Sequence, residues 1–474
     1  MTADTRILEA LLRNRFAHFA RGLFAVLAPG ETLVWNWHLD ALCHALERVL
    51  RGEIRRLIIE VPPRSLKSVL GSVLYPAYAL GRDPTAKIIC ASYSQDLAVK
   101  HSNDCRAVMR SERYHRLFPA SAIGHGKDSE TEFHTSARGY RYATSPGGTL
   151  TGRGARLLIL DDIMSAGEAA SDARRTAIVR WYGTTAFSRL NDKKTDAVIV
   201  ITQRLHVEDL PGVLRDQGDF EVLSLPAIAP VDQLVDLGYG RRHRFAAGDL
   251  LHPAREPHGT LDDIRRTLGS YAFSAQYLQQ PVPIEGAVVK WDWFRFHEGS
   301  LPRLDVRVVQ SWDIGMSEGD NADWSVCTTW LVDGANYHLI DITRGRWGFP
   351  ELLRQVTGKA RQFRANTILV EDMVTGTALI QQLRAQATSG LPLPIARKPI
   401  GSKLDRFIAE TPAIEAGHVH LPPTAPWLDD LRRELAQFPN GRHDDQVDSI
   451  SQFLNWMRTK PTVRRITKMR LIGR

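Results

Sequence analysis

Two regions of the sequence hold residues whose types and order suit phosphate chemistry. The first opens with VPPRSLKS at 61–68, directly after the apolar run LIIEV at 57–61. A loop that leaves a strand and enters a helix can turn its backbone N–H groups toward a phosphate. A lysine then meets the outer phosphates, and a hydroxyl reaches Mg²⁺. Lys67 and Ser68 fill the last two positions of that pattern, preceded by Arg64, Ser65 and Leu66. The usual glycines are absent, since Val61 holds the first position and Leu66 the sixth. Some ninety residues on, LLILDD at 157–162 reads as an apolar strand ending in two carboxylates, a Walker B element. Asp161 is the candidate to hold Mg²⁺ through water, and Asp162 the candidate to orient or deprotonate the attacking water. A strand end with solvated acids would look the same alone; the ordered pair of signals argues against it. Arg64 is a candidate for steadying transition-state charge in cis. Thr202 and Gln203, in ITQRLH at 201–206, stand where a motor senses the γ-phosphate. His38, in WNWHLDAL at 35–42, has aromatic neighbours fit for a purine ring or for packing at a helix start. Arg153, in TGRGAR, is a candidate contact to the ATP of a neighbouring subunit.

The second region is a set of acids. Asp313 ends one apolar run, Glu371 and Asp372 end another, and Asp444, Asp445 and Asp448 open the last helical stretch. Asp445 and Asp448 are three apart and share a helix face. Gathered carboxylates repel unless a cation lies among them. Oxygen ligands select Mg²⁺ or Mn²⁺, and two such ions can activate water and steady the leaving oxygen of a phosphodiester. Each acid alone also reads as a strand-end or N-cap residue.

The elements that must position these residues follow from periodicity. Runs at 57–61, 86–93, 155–163 and 196–203 are continuous and apolar, with a helix at 97–111, as expected of parallel strands covered on both faces. That predicts a doubly wound α/β domain over 1–225, beginning with helices around a turn at Pro29-Gly30. Prolines punctuate 226–300, which reads as a small subdomain plus linker. Runs at 307–315, 325–333 and 336–344 are spaced as an antiparallel meander. A helix at 350–364, strands at 367–372 and 394–398, a helix at 376–387 and a closing helix within 443–458 complete the order of a ribonuclease H-like domain at 301–460. In that fold the first and fourth strands are adjacent and the closing helix packs over their ends, so the acids converge.

A chain of 474 residues exceeds one ordinary core. Hydrophobic residues at 43% and charged residues at 24% indicate a globular, water-soluble protein, and no apolar run is long enough to span a membrane. The N-terminus does not read as a signal peptide. The four cysteines form no CxxC pair, which points away from a zinc site or a disulfide framework and toward a reducing cytoplasm. A net charge of +8 suits a polyanion. The tail at 461–474 holds Arg464, Arg465, Lys468, Arg470 and Arg474 without an acid, and reads either as a solvated end or as a phosphate- or partner-contacting segment.

The motifs NWHLDAL, VPPRSLKS, SQDLAVKHSNDCRAVM, GGTLTGRGARLLILDD, ITQRLHVEDLPG, AQYLQQPVPIEGAVVK, WDIG, VEDMVTGTALIQQL and HDDQVDSISQFL resemble, in order and spacing, the large terminase subunits of tailed bacteriophages and prophages, over about 30–460. The resemblance implies an N-terminal P-loop (RecA/ASCE-like) packaging ATPase with Lys67, Ser68, Asp161 and Asp162 in the usual roles and Arg64 as the cis arginine. It implies a C-terminal ribonuclease H-like endonuclease with Asp313, Glu371 and one or more of Asp444, Asp445 and Asp448 on Mg²⁺ or Mn²⁺. It also implies ATP as cofactor, and double-stranded DNA, a small terminase subunit and a procapsid portal as partners. Self-association into a ring on that portal, in the host bacterial cytoplasm and away from any membrane, completes the implication. Gene transfer agents use similar proteins. The family commonly carries glycine where Leu66 stands; with Pro62-Pro63-Arg64 and Lys67-Ser68 intact, a tolerated variant is expected.

Two alternatives stand beside this. A repair helicase with an accessory nuclease would carry a second RecA-like domain, and the sequence has no second phosphate loop. A DNA-binding prophage remnant with decayed sites would not be expected to keep Lys67, Asp161, Asp162, Asp313 and Glu371.

Overall fold

The computed structural model describes residues 3–169, 171–281, 288–297, 306–315, 324–385, 390–439, 441 and 443–460. The chain divides into two compact units, Met1–Pro283 and Ile284–Arg474. The basic tail at 461–474 lies outside the described residues. No described helix is long and apolar enough to cross a membrane.

In the first unit eight strands form one sheet: β1 (Arg56–Glu60), β2 (Lys87–Ala91), β3 (Ile123–Asp128), β4 (Glu132–Thr135), β5 (Tyr140–Thr144), β6 (Leu157–Asp161), β7 (Ala197–Thr202) and β8 (Glu221–Ser224), in the order β3-β4-β5-β2-β6-β7-β1-β8. The strands from β5 to β8 in this order run parallel. Their residues alternate between two cores. Leu57, Ile59, Ile88, Cys90, Ile159, Ile199 and Ile201 pack on one face, with the helices Phe16–Leu27, Trp37–Leu50, Tyr75–Arg82 and Gln95–Arg110. Ile58, Ile89, Leu158, Leu160, Val198 and Val200 pack on the other, with Leu210 and Leu214 of the helix Leu210–Gln217. Burial on both faces is why these strands read as unbroken apolar runs. At one edge β3 and β4 run antiparallel. Their sequences, IGHGKD and EFHT, have no apolar pattern that would mark them as strands.

Residues 226–281 belong to the first unit. They form the hairpin β9 (Gln233–Gly238) and β10 (Arg241–Phe245), then the helix His258–Gln276, kinked at Gly269. Val235, Leu237, Phe245 and Leu251 join the first core, and Trp37 stacks on His243 with ring centres 4.1 Å apart.

Among the described residues the second unit holds seven strands: β11 (Arg295–Phe296), β12 (Arg307–Asp313), β13 (Ser325–Asp333), β14 (Asn336–Gly345), β15 (Thr367–Glu371), β16 (Pro394–Arg397) and β17 (Val419–Leu421). Their order is β11-β17-β14-β13-β12-β15-β16. β12, β13 and β14 make the antiparallel meander, and β15 lies parallel beside β12, so the first and fourth strands of the expected order are neighbours. Val309, Val326, Trp330, Leu339 and Leu369 face the closing helix Asp445–Thr459. Val308, Trp312, Cys327, Ile368 and Val370 face the helices Phe349–Gln362 and Val374–Ala385.

Polar pins fix the closing helix. Ser449 Oγ donates to Ser311 O at 2.8 Å, and Gln452 Nε2 donates to Ser311 Oγ at 2.9 Å. Both hold the helix to the strand that ends in Asp313. Trp330 supplies the apolar part, stacked on Phe453 with centroids 4.2 Å apart and planes 6° from parallel. Trp330→Ala should destabilise the second unit by about 3–5 kcal/mol through the cavity it leaves. Urea unfolding followed by circular dichroism checks this, and a loss of under about 1 kcal/mol would contradict the central role given to the stack.

Candidate functional site

In the first unit the C-terminal ends of β1, β6 and β7 lie side by side, because the strands are parallel and in register. The chain leaves β1 through 61–67, and Ser68 opens the π-helical turn Val69–Leu74 that runs into the helix Tyr75–Arg82. Arg64 and Leu66 adopt φ of 64° and 60°, the left-handed region. This is the conformation that the absent glycine would supply freely, and an L side chain there costs roughly 1–2 kcal/mol. Leu66 packs against the first core, which offsets part of that cost. Ser65 Oγ donates to Pro62 O at 2.8 Å and tightens the turn. The Arg64 side chain is exposed.

The loop delivers two groups to the end of β6. Lys67 Nζ lies 3.0 Å from Asp162 Oδ1, and Ser68 Oγ donates to Asp161 Oδ1 at 3.0 Å. Asp162 is itself left-handed, at φ 43°, and its Oδ1 accepts from the Gln203 N–H at 3.3 Å. Asp161 is 1% exposed. Burial, and next the charge of Asp162, pushes its carboxyl up to about 7. Its Oδ2 has no hydrogen-bond partner among the described residues, while the buried Lys67 Nζ has its ion pair with Asp162. A buried carboxylate oxygen without a partner and a buried ammonium, set beside a loop of this shape, fit a Mg²⁺–nucleotide.

The remaining expected residues take varied places. The Thr202 hydroxyl donates to Gln203 O at 2.6 Å, so it is engaged within its own turn. His38 is buried between Asn36 and His252, against the Ser65 backbone, and burial holds its pKa down at about 3. It therefore supports the loop from behind as a neutral ring. Arg153 Nη2 pairs with Glu132 at 3.0 Å and its guanidinium covers the Tyr142 ring.

Three contributors here escaped the sequence reading. His101 Nδ1 lies 3.6 Å from Asp161 Oδ2, and burial, then Arg141, lowers its pKa to about 4, so it stands neutral behind the acid. Arg141 is fully buried on β5 and donates to Ser72 O at 3.0 Å. Arg204, beside Gln203, is buried between Glu60 at 3.5 Å and Asp209 at 3.0 Å, bracing the ends of β1 and β7. Only the contacts of the folded chain separate these from ordinary polar residues on helix and strand.

In the second unit Asp313 and Glu371 come from the adjacent ends of β12 and β15. Asp445 and Asp448 come from the first turn of the closing helix. Asp313, Asp445 and Asp448 are all buried. Burial pushes the Asp313 carboxyl well above the usual range, and the charges of Glu371, Asp448 and Asp445 add to this. Asp313 also shares a hydrogen bond with Glu371. Burial raises Asp448 as well, against the pull of Arg406 and Lys403.

Those two cations bridge the acids. Arg406 donates to Glu371 at 3.0 Å and to Asp448 at 2.8 Å; Lys403 lies 2.6 Å from Asp444 and 2.8 Å from Asp448. Both sit on the helix Lys403–Ile408, which Ser402 and Asp405 cap. Among the described residues no three His, Cys, Asp or Glu side chains are gathered closely enough to hold a metal ion as they stand. The all-oxygen donor set, partly protonated and bridged by organic cations, fits a hard divalent ion that would displace a proton and these cations.

The capping alternative for the last acids is answered by Glu434. It accepts from the N–H groups of Gln446 and Val447 at 2.7 and 3.0 Å, so the start of the closing helix is capped from the helix Leu428–Gln437. Asp444 makes no side-chain cap bond and turns to Lys403 instead. Asp372, by contrast, is a local support, accepting from Thr377 Oγ1 at 2.7 Å.

Residues 310–456 match a family model described as a terminase RNase H-like domain. The fold of the chain is similar to that of a large terminase from a thermophilic bacteriophage. With the ADP complex of that terminase the chain shares 11% identity at TM-score 0.51, over 88% of this chain and 99% of that one. A second crystal form gives 11% identity and 0.52, over 86% and 97%. The complex with ATP-γ-S gives 12% and 0.50, over 86% and 98%. At such identities the likeness is one of fold. No curated protein matches the chain in a sequence comparison.

The left-handed turn at Leu66 has a measurable consequence. Leu66→Gly and Leu66→Ala both remove the side chain, and only glycine accepts φ 60° without strain. The glycine variant should be the more stable by roughly 1 kcal/mol in thermal unfolding. An alanine variant equal or superior to it would show that the turn does not demand that conformation.

Proposed function

We propose, from the premise that residues 310–456 match the terminase RNase H-like family and that the fold is that of a large terminase subunit, that this protein is the motor-and-nuclease subunit of a DNA-packaging machine. One half hydrolyses ATP to translocate double-stranded DNA into a procapsid; the other cuts concatemeric DNA. The observation that carries the reading is the presence, in two separate compact units, of a phosphate-type loop set against paired acids and of a buried carboxylate cluster.

In the first half the backbone of 64–67 cradles the phosphates and Lys67 leaves Asp162 for the outer ones. Ser68 and Asp161 would hold Mg²⁺, which supplies charge neutralisation to the phosphates. Asp162, released from Lys67, orients the attacking water, and its bond to the Gln203 N–H ties that acid to the end of β7. Arg64, exposed at the loop, is free to swing toward the γ-phosphate.

In the second half Asp313, Glu371, Asp445 and Asp448 would hold Mg²⁺ or Mn²⁺, which activates water and steadies the departing oxygen of the phosphodiester. Asp444 keeps Lys403 at the rim, where the ammonium also meets an incoming phosphate. Docking on a portal, a ring of copies and recruitment of DNA by a small subunit complete the proposal. Phosphate contacts carry little base information, so choice of DNA sequence falls to that small subunit.

The deciding experiment is plasmid cleavage with Mn²⁺ alongside ATP turnover, for wild type and Asp313→Ala. The variant is expected to lose cutting and keep its ATPase. Equal loss of both, or undiminished cutting, would defeat the division of labour. A second expectation concerns pH. Without metal, the raised pKa of Asp161 contributes stability that is full below the unfolded value and lost as pH rises through about 7. Mg²⁺ needs the ionised form, so Mg²⁺–ATP-γ-S affinity should rise about tenfold from pH 6 to pH 8 and level off above. Calorimetric titration checks it, with Asp161→Asn expected to flatten the profile.

A further inference from the structure

Three histidines meet at one edge of the second sheet, on strands that carry none of the acids described above. His338 on β14 and His420 on β17 are direct register partners, with ring centroids 4.6 Å apart. His297 follows β11, where its N–H donates to Leu421 O at 3.1 Å, and its ring lies 5.9 Å from that of His338. They occupy the other face of the sheet from the acids. His338 pairs with Leu331, which packs toward the helices Phe349–Gln362 and Val374–Ala385, whereas Asp313 pairs with Val326, which packs toward the closing helix.

Their nitrogens are buried and unused. Both ring nitrogens of His297, Nδ1 of His338 and Nε2 of His420 have no hydrogen-bond partner among the described residues. A buried polar atom in that state keeps none of the hydrogen bonds it had in water, and three such rings side by side point to a shared ligand. Burial, then the neighbouring histidines, lowers the pKa of His338 and of His420. For those two rings this favours the neutral form, the one that donates a lone pair to a metal. Asp333 favours a cation near His338, while Arg295 and His418 oppose one near His420.

Two of the three spacings agree with one small ion. Imidazole nitrogens about 2.0–2.1 Å from a tetrahedral Zn²⁺ set ring centroids roughly 5 Å apart, and the His338–His420 and His297–His338 separations straddle that value. The nitrogens are not yet gathered as they stand. Rotation about Cβ–Cγ, an axis that passes through the ring, re-aims them while leaving the centroids in place. Cysteine spacing had argued against zinc, but it has no bearing on an all-histidine set.

We propose that His297, His338 and His420 bind a borderline divalent transition-metal ion, Zn²⁺ by preference, which fastens the two-residue strand β11 to the edge of the sheet. Nitrogen donors select Zn²⁺, Cu²⁺ or Ni²⁺ over the Mg²⁺ or Mn²⁺ suited to the acids. The site does not depend on the nuclease reading.

The test uses the full chain carrying Asp313→Asn, which weakens zinc binding at the acids, titrated with ZnCl₂ by calorimetry and with Co²⁺ by visible absorption. One equivalent of Zn²⁺ is expected, with ligand-field bands for Co²⁺ and a raised Tm. Adding His338→Gln or His420→Gln should weaken Zn²⁺ at least tenfold and remove the bands and the Tm rise. Two variants at different strands guard against one that fails to fold, and circular dichroism reports folding for each. No zinc binding by the Asp313→Asn chain, or unchanged affinity and spectrum in a folded histidine variant, would overturn the proposal.

Discussion

A carboxylate taken out of water must be given a cation, a proton or hydrogen-bond donors. This constraint shapes both halves of the molecule. In the first unit Asp161 is buried at the end of β6, with Ser68 on one oxygen and the other left without a partner, while Lys67 stands against Asp162. In the second unit Asp313 shares a hydrogen bond with Glu371, Arg406 bridges Glu371 to Asp448, and Lys403 bridges Asp448 to Asp444. In each arrangement the charges are compensated by neighbouring groups on the chain itself.

The sheets make this confinement possible. Parallel neighbours bring β1, β6 and β7 to a common end, and the pairing of β12 with β15 does the same for Asp313 and Glu371. What remains is to bring a third element over the strand ends at a fixed depth. In the second unit Ser449, Gln452 and the Trp330–Phe453 stack fix the closing helix, and Glu434 relieves its acids of capping. In the first unit Arg204 braces Glu60 against Asp209 just beyond the phosphate-type loop.

Backbone strain is found at the same place, with three of the seven left-handed non-glycine residues among the described ones. Arg64, Leu66 and Asp162 are all left-handed non-glycine residues, and they flank the contact of Lys67 with Asp162. Such residues persist only where surrounding packing over-determines them. Here the core contact of Leu66 and the parallel register of β1, β6 and β7 supply that packing. A leucine in place of the customary glycine is therefore accommodated rather than harmless, and the turn keeps the glycine geometry.

The sequence by itself determined the fold class and the order of its strongly patterned elements. Unbroken apolar runs at 57–61 and 155–163 mark strands buried on both faces, and the meander from 307 carries its own spacing. It also singled out Lys67, Ser68, Asp161 and Asp162, because a strand followed by a loop is a local pattern, and Asp313 and Glu371, because they end apolar runs. The weakly patterned β3 and β4 were not legible, since their register rests on the neighbouring β5 and not on their own side chains. Nor were Arg406 and Lys403, His101 and Arg141, or the capping role of Glu434: a lone basic or acidic residue looks alike wherever it sits until the fold sets it against a buried charge. His338 and His420 lie eighty-two positions apart and become neighbours only through the parallel pairing of β14 with β17. Local periodicity fixes which segments become strands and which acids end them. Only tertiary packing decides which charges lose their water together, and with it which residues must answer for one another.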